Sequence, residues 1–345
     1  MLKNELGSTV LYIDITNQCS IGCSHCMYKH SHGNDKLKLN EMNSTVLERL
    51  INETDHLCIS GVGEPLDAAD VIRQVINLDF NDKPVELITS GNMNWKLLER
   101  LLDELDQRMF ELENDFNLRI SLDHWHYEAI TNRNYSHIMS YFLQKNLDRM
   151  TLSFRSVIQD KSNIHMILHD IFYGTEFKWE YCEIDDLNSV LYVNEYSINI
   201  LFKPQVNHSE TQTNLLFSGF INHYENIYQH NFRLVNNGST NKPGISITVK
   251  PSGTIELYGL AGLIEWNIND DALTLDIIKK DIISNPILSV FLNLPFENII
   301  NYLCQNEKMH KIIAKQNSPY WVIRELSEMY PKELTSYLKQ LVTNY

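Results

Sequence analysis

The chain has 345 residues, 43% of them apolar, which is enough to bury a substantial core and excludes a disordered chain. Its 44 acidic residues outnumber 29 basic ones, and the net charge of −15 disfavours nucleic acid and anionic membranes as partners. Because the sequence has neither a signal peptide nor an apolar run of about 18 residues, we expect a cytoplasmic protein with no membrane partner.

Short β-rich segments alternate with helical ones in the N-terminal part of the chain. Between these segments, apolar residues recur at intervals of three and four, which indicates helices. Alternation of strand and helix predicts right-handed crossovers and a parallel sheet. The predicted fold class is therefore α/β, a partial (β/α)6 barrel of the TIM type, with ligands at the carboxyl ends of the strands. The predicted strands are residues 9–15, 56–60, 85–89, 118–122, 150–157 and 197–202.

The C-terminal part follows a different pattern. Polar stretches around residues 205–240 predict a boundary, so we expect a core barrel over 1–210 and a substrate-binding region over 211–345. Residues 245–258 predict a hairpin with a Pro-Ser-Gly turn. Helices are predicted for the remainder, with prolines in three first turns, namely Pro286, Pro319 and Pro331.

Three of the six cysteines lie directly after the first predicted strand. Cys19, Cys23 and Cys26 have the spacing C-x₃-C-x₂-C, and such a cluster in a reducing compartment favours metal binding over disulfides. One alternative is a zinc site in which a nearby histidine is the fourth ligand, and another is three ordinary thiols. A third is an iron–sulfur cluster held by three thiolates, with one iron free for a small ligand. The candidate histidines are His25, His30 and His32.

This segment resembles the signature of the radical S-adenosylmethionine (radical SAM) superfamily, C-x₃-C-x-Φ-C, with His25 at the usually aromatic position Φ. The resemblance implies that Cys19, Cys23 and Cys26 hold a 4Fe–4S cluster whose open iron binds S-adenosyl-L-methionine (SAM). It also implies reductive cleavage of SAM to a 5′-deoxyadenosyl radical that abstracts hydrogen from the substrate. A flavodoxin- or ferredoxin-type protein would then donate the electron.

Later strand ends extend the resemblance over about residues 9–205. "SGVGEPL" (60–66) is similar to the family's G-G-E-P segment, and "TSGN", "SLD" and "SFR" follow the next three strands. We expect the glycines to let backbone approach the methionyl group, so that a bulky residue at position 63 weakens SAM binding before it disturbs the cluster. The resemblance implies eight cofactor-binding residues: Gly61, Gly63, Glu64, Ser90, Asn92, Ser121, Ser153 and Arg155.

The predicted C-terminal hairpin resembles the one that opens a SPASM or twitch domain, which holds further iron–sulfur clusters in related enzymes. However, Leu257, Tyr258 and Gly259 stand where the cysteine ligand would be. Only Cys182 and Cys304 lie beyond the early strands, which is too few thiols for a second four-iron cluster. We therefore expect one cluster, and an ordinary hairpin remains the alternative.

Three residues are candidates for substrate chemistry. Asp123 and His126 follow the fourth strand and suit proton transfer or substrate binding, the alternative being that His124 and His126 merely cap the following helix. Cys182 could donate a hydrogen atom to a substrate radical, the alternative being simple packing.

The predicted function is radical SAM chemistry on a ribosomally made peptide, giving a crosslink or an epimerised residue, because SPASM-like tails accompany such reactions. The alternatives are a small-molecule substrate (a sugar, nucleoside or amino acid) and a non-catalytic metal-binding protein. Since only 18 residues precede Cys19, we expect no peptide-binding domain before the barrel.

Overall fold

The computed structural model describes residues 6–28, 31–80, 82–145, 147–205, 217–235 and 244–344. His30 and the predicted boundary at 210/211 lie outside the described residues. The chain divides into two compact units. The core unit comprises Ile13–Leu39 and Leu57–Gln212, and the second unit comprises Met1–Tyr12, Asn40–His56 and Thr213–Tyr345.

The core unit is built on an open sheet with the strand order β2-β3-β4-β5-β8-β7-β6, and the last two residues of β1 lie next to β2. Strands β2, β3, β4, β5 and β8 pair in parallel, whereas β6 and β7 continue the sheet in antiparallel pairing. The six predicted strands are confirmed to within two residues, and the sheet does not close, as expected of a partial barrel. The bounds are β1 Thr9–Asp14, β2 His56–Ser60, β3 Val85–Thr89, β4 Phe116–Ser121, β5 Met150–Val157, β6 Trp179–Glu183, β7 Asn188–Val193 and β8 Tyr196–Lys203.

The longer helices of the core unit each bury one apolar face. In α3 the buried residues recur at three and four, as in Leu98, Leu101 and Leu105, while Asn94 caps the helix by accepting a hydrogen bond from the Lys96 amide. The helices are α2 Ala69–Ile76, α3 Trp95–Leu112, α4 His124–Ala129, α5 Tyr135–Lys145 and α6 Ile164–Phe172, with 3₁₀ turns at Pro65–Ala68 and Ile158–Asn163.

Alternation along the strands leaves a polar face on the sheet. In β4 the apolar side chains of Phe116, Leu118 and Ile120 are buried, and the residues between them face the other way. On that face Arg119 pairs with Glu86 of β3 at 2.7 Å. The sheet therefore presents polar groups beside the carboxyl ends of its strands, where the candidate site lies.

The second unit contains the predicted hairpin and a set of helices. Strands β9 and β10 are antiparallel, and β11 pairs with β10. Pro286, Pro319 and Pro331 each begin a helix, as predicted. The bounds are α1 Glu41–Glu53, α7 Phe217–Tyr228, β9 Ile245–Val249, β10 Thr254–Leu257, β11 Glu265–Asn267, α8 Leu275–Ser284, α9 Pro286–Asn293, α10 Phe296–Leu303, α11 Glu307–Ile313, α12 Pro319–Met329 and α13 Pro331–Asn344.

Helix α1 belongs to the second unit although it lies between β1 and β2 in the sequence. Arg49 of α1 donates hydrogen bonds to the carbonyls of Asp271 and Leu273, and Glu53 accepts one from the Leu275 amide. None of the described helices has the length and apolar character needed to cross a membrane.

Aromatic packing surrounds the position where a SPASM hairpin would carry its cysteine. The ring of Tyr258 lies 4.9 Å from that of Tyr320 and 5.9 Å from that of Tyr12, measured between centroids. Leu257 beside it is buried. Tyrosine rings thus pack at this end of the hairpin, around a residue that offers no thiolate.

Candidate active site

A cavity of about 210 Å³ lies at the carboxyl ends of the strands in the core unit. It is lined by the segment after β1 and by residues that follow β2, β3 and β4. Nine of the residues predicted for the site line it: Cys19, Cys23, Cys26, Gly61, Gly63, Glu64, Ser90, Ser121 and His126.

The three cysteines of this cavity are free thiols in a tight loop. Gly22 has φ +68°, which glycine adopts without strain, and the Cys26 amide donates to the Cys23 carbonyl at 3.2 Å. A hydrogen bond from Cys23, with help from the Tyr28 amide and from His32, lowers the pKa of Cys26 to about 6 despite burial. The same hydrogen bond and burial raise the pKa of Cys23. Since thiolates are the ligand form, three cysteines with one already favouring the thiolate suit an iron–sulfur cluster.

The segment after β2 holds the cysteine loop in place. The amides of Gly63 and Glu64 donate to the carbonyls of Thr16 and Gln18 at 3.0 and 2.8 Å. Both carboxylate oxygens of Asp67 accept hydrogen bonds from Ser20, one from its amide at 2.7 Å and one from its hydroxyl at 2.9 Å. Three residues of one segment, Gly63, Glu64 and Asp67, thus contact the loop that carries Cys19.

Close backbone contact explains the glycine at position 63. A Cβ atom on Gly63 would lie 1.8 Å from the carbonyl oxygen of Gln18, far inside van der Waals contact. At Gly61 the equivalent atom would lie 2.9 Å from the Thr16 carbonyl oxygen. The glycines therefore have a packing reason that our expectation of cofactor approach did not include.

Glu64 links the ends of β2 and β3 through four hydrogen bonds. Its Oε1 accepts from the Leu66 amide at 3.1 Å and from the Thr89 hydroxyl, and its Oε2 accepts from the amide and hydroxyl of Ser90 at 3.0 and 2.7 Å. Burial raises the pKa of this carboxyl above its usual value, although all four hydrogen bonds favour the charged form. Glu64 thus fixes the geometry of two strand ends at once.

Buried Asp123 and half-buried His126 form a hydrogen-bonded pair at the start of α4. The Asp123 carboxylate accepts hydrogen bonds from the His126 amide at 2.9 Å and from its Nδ1 at 2.7 Å, and it lies 3.7 Å from Nε2 of His25. Burial acts against ionisation, but His126 and His25 together lower the pKa of Asp123 to about 2. Burial likewise opposes charge on His126, yet Asp123 raises its pKa. Because Asp123 engages Nδ1, the Nε2 atom is the one available for chemistry in the cavity.

Comparison with known proteins identifies the part of the chain that carries most of these residues. Positions 13–148 match the model of the Radical SAM superfamily. This stretch is a radical SAM domain. The solved structure of native anSMEcpe with bound AdoMet and Cp18Cys peptide is similar, with 14% identity and a TM-score of 0.49, over 97% of this chain and 100% of that one. No curated protein matches the chain.

The cofactors of a radical SAM domain are a 4Fe–4S cluster and SAM, as the sequence motif also implies. The donor set of the structure fits this pair of cofactors, because three thiols and a set of glycine and hydroxyl groups share one cavity. Burial raises the pKa of Cys19, so binding of iron must displace its proton.

Besides Asp123, which contacts the lining residue His126, four predicted site residues lie outside the cavity lining. Asn92 accepts a hydrogen bond from the Asn132 amide at 3.0 Å, and the Ser153 hydroxyl accepts one from Asn117 at 2.8 Å. Arg155 lies opposite Ser121 in the sheet register, next to the lining rather than in it. These three remain predictions for cofactor binding.

Cys182 is the fourth of these residues, and its position does not support the predicted role of hydrogen-atom donor. It lies on β6, an antiparallel strand at the sheet edge, where it pairs with Val190. Strands β7 and β8 separate it from β5, and neighbouring strands are about 4.8 Å apart. The sequence placed Cys182 late in the barrel but could not show that its strand lies at the edge of the sheet, beyond β7 and β8.

Two cavity residues were missed by the sequence analysis. Lys203 is the last residue of β8 and lies opposite Val157, which also lines the cavity. Desolvation, followed by the charges of Arg155 and Arg119, lowers the pKa of Lys203 to about 8. The rule that selected Arg155, a polar residue at a strand end, would have found Lys203. The second residue is His32, whose place in the cavity was missed because this histidine was considered only as a zinc ligand.

Replacement of Glu64 by glutamine should destabilise the core unit by roughly 1–3 kcal/mol. Each carboxylate oxygen accepts a backbone N–H, from Leu66 or from Ser90, and neither amide can reverse its direction. Whichever oxygen becomes an NH₂ group, two donors then face each other. Urea unfolding followed by tryptophan fluorescence measures this loss. The matched control is Glu128→Gln at an exposed position, which should change stability by less than about 0.5 kcal/mol; equal effects of the two variants would contradict the prediction.

Proposed function

We propose that this protein is a radical SAM enzyme that cleaves SAM reductively and uses the 5′-deoxyadenosyl radical to take a hydrogen atom from its substrate. The observation that carries the proposal is the meeting of Cys19, Cys23 and Cys26 with the ends of β2, β3 and β4 in one cavity. A purely structural metal site has no need of glycine, glutamate and serine groups on neighbouring strand ends.

Each group of residues has a proposed task. The three cysteines would hold the cluster, which, when reduced, supplies the electron that splits SAM into methionine and the radical. The segment Gly61–Glu64 positions the cysteine loop and would approach the methionyl group of SAM. Ser90 is held by Glu64, and Ser121 lines the cavity at the end of the neighbouring strand β4, where its hydroxyl would bind SAM. Arg155 would neutralise the methionyl carboxylate from the strand beside Ser121.

His126 is the proposed proton acceptor for the substrate. Its Nδ1 is fixed by Asp123, and this contact orients the ring as the carboxylate does in other His–Asp pairs. A substrate that loses a hydrogen atom to the radical and then returns one electron to the oxidised cluster would also have to lose a proton, and His126 lines the cavity where this would occur. Asp123 acts through His126 and is a positioning residue in this proposal.

A ribosomally made peptide is the proposed substrate. Support comes from the C-terminal hairpin of β9 and β10, whose sequence resembles the hairpin that opens a SPASM or twitch domain. A small molecule such as a sugar, nucleoside or amino acid is the second candidate. It is favoured by Tyr258, which packs among tyrosines where a cluster ligand would lie and so argues for an enzyme with one cluster.

Cleavage of SAM by the reduced enzyme tests the central proposal. We expect protein reconstituted anaerobically with iron and sulfide, then reduced with dithionite, to convert SAM to 5′-deoxyadenosine and methionine, measured by chromatography and mass spectrometry. Omission of dithionite is the control for non-enzymatic breakdown. A protein that holds its cluster and binds SAM but forms no 5′-deoxyadenosine would overturn the proposal. In the cell, a flavodoxin- or ferredoxin-type protein in the cytoplasm would take the place of dithionite.

A further inference from the structure

His32 contacts a proposed cluster ligand from outside the cysteine motif. Its Nε2 atom lies 3.6 Å from the sulfur of Cys26, within range of an N–H···S hydrogen bond, and its ring lines the cavity. His25 lies inside the motif, but its Nε2 faces Asp123 and its ring stacks on Trp125 at 4.7 Å. Of these two histidines, only His32 is directed at a sulfur atom.

The chain holds His32 in this position by folding back on itself. Gly33 donates its amide to the Asn17 carbonyl at 3.0 Å. The Asn17 amide donates a hydrogen bond to the Asp35 carbonyl at 3.1 Å, and the Asp35 amide donates one to the Asn17 side-chain oxygen at 2.7 Å. A Cβ atom on Gly33 would lie 2.9 Å from the Asn17 side chain, so the contact is close. The residue after His32 is therefore fixed to the same segment that carries Cys19.

We infer that His32 donates its Nε2–H to the Cys26 thiolate and thereby raises the reduction potential of the cluster. Reduction adds one negative charge to the cluster and its thiolates, and a hydrogen-bond donor at a ligand sulfur stabilises that charge. The inference rests on the proposed function, because it requires Cys26 to be a cluster ligand. Within that function, His32 is a positioning and tuning residue that favours delivery of the electron.

The test is the midpoint potential of the cluster in His32→Leu, measured by EPR-monitored redox titration of the reconstituted full chain without SAM. We expect a shift to more negative potential, equivalent to about a tenfold loss in the reduction equilibrium, or about 59 mV for one electron. His32→Gln carries an N–H at similar reach and should restore most of the shift. The control is His25→Leu, which removes an imidazole from the same cavity without removing a contact to sulfur.

Two results would overturn the inference. The first is an unchanged potential in His32→Leu with full iron content. The second is an equal shift in His25→Leu, because cavity polarity rather than the hydrogen bond would then be responsible. Failure of the proposed function is seen separately, because the reduced wild-type protein would then form no 5′-deoxyadenosine, and iron that remained bound after Cys26→Ala would show that Cys26 is not a cluster ligand.

A spectroscopic measurement on the wild-type chain covers the case in which the leucine variant loses its cluster. With ¹⁵N-labelled histidine, pulsed EPR of the reduced cluster should show one weak nitrogen coupling, as expected of a hydrogen bond through sulfur. A strong coupling would identify His32 as a direct ligand, and the absence of any coupling would show that no histidine contacts the cluster. Either of these outcomes contradicts the inference.

Discussion

Cys23→Ala should abolish cluster binding. Wild-type protein reconstituted anaerobically is expected to hold about four irons per chain, and loss of one of three thiolate ligands removes the site. Cys23 is the buried member of the set and shares a hydrogen bond with Cys26, so water has little access to replace its sulfur. Iron and sulfide analysis, together with the charge-transfer absorbance of the cluster, gives the measurement.

Three other cysteines provide matched controls for this experiment. Cys58 is buried in β2, Cys182 lies on β6, and Cys304 follows α10 in the second unit. Alanine at each of these positions should leave the iron content at about four, because none lines the cavity. Iron that survives Cys23→Ala, or that is lost in Cys304→Ala, would contradict the assignment of the ligands.

The same iron analysis tests the single-cluster proposal. Cys304 is the one cysteine in residues 213–345, and tyrosine rings pack around the hairpin position of the missing ligand. A second four-iron cluster held by cysteines would need thiols that this part of the chain does not have. About eight irons per chain would therefore contradict the proposal, whichever cysteines are replaced.

Regular alternation made the parallel strands predictable from the sequence. In β4 and β8 every second residue is buried, and the helices between strands carry clear three-and-four periodicity. Strand ends could then be placed on one rim, which predicts that Cys19, Gly61 and Ser121 lie together, as they do in the cavity. Local pattern was sufficient here because each element pairs with a neighbour of the same kind.

Features that depend on distant contacts were not predictable in this way. Strand β6 has no buried residue, so its sequence carries no alternating signal and the antiparallel pair β6–β7 was missed. Helix α1 joins the second unit through contacts such as that between Arg49 and Asp271, more than two hundred positions apart in the chain. The contact between His32 and Cys26 arises only when residues 33–35 fold onto Asn17.

The function of Gly63 could not be predicted from the sequence either, because it depends on which residue lies beside the glycine in the folded protein. The motif suggested a surface for the cofactor, whereas the structure places the Gln18 carbonyl oxygen 1.8 Å from where a side chain would begin. The two explanations make opposite predictions about which property fails first when the glycine is replaced.

Gly63→Ala should lower the stability of the core unit by roughly 3 kcal/mol and reduce its iron content together with SAM binding. The methyl group cannot fit without moving Gln18, and that movement breaks the hydrogen bonds from the Gly63 and Glu64 amides to the cysteine loop. Gly61→Ala should have a smaller effect, since its Cβ would lie 2.9 Å from the nearest backbone oxygens. Iron content after reconstitution, equilibrium binding of SAM and urea unfolding give the three measurements.

Gly174→Ala is the control for the general cost of adding a methyl group. Gly174 has φ +74° and no atom within 4 Å of its Cβ position, so alanine there costs about 1 kcal/mol through backbone strain alone and should leave iron and SAM binding unchanged. If Gly63→Ala instead kept full iron content and normal stability while SAM binding was lost, the glycine would serve the cofactor directly, as its motif first suggested. A parallel loss of stability, iron and SAM would show that this glycine acts by letting one loop rest against another, so that the cluster ligands are correctly placed before SAM arrives.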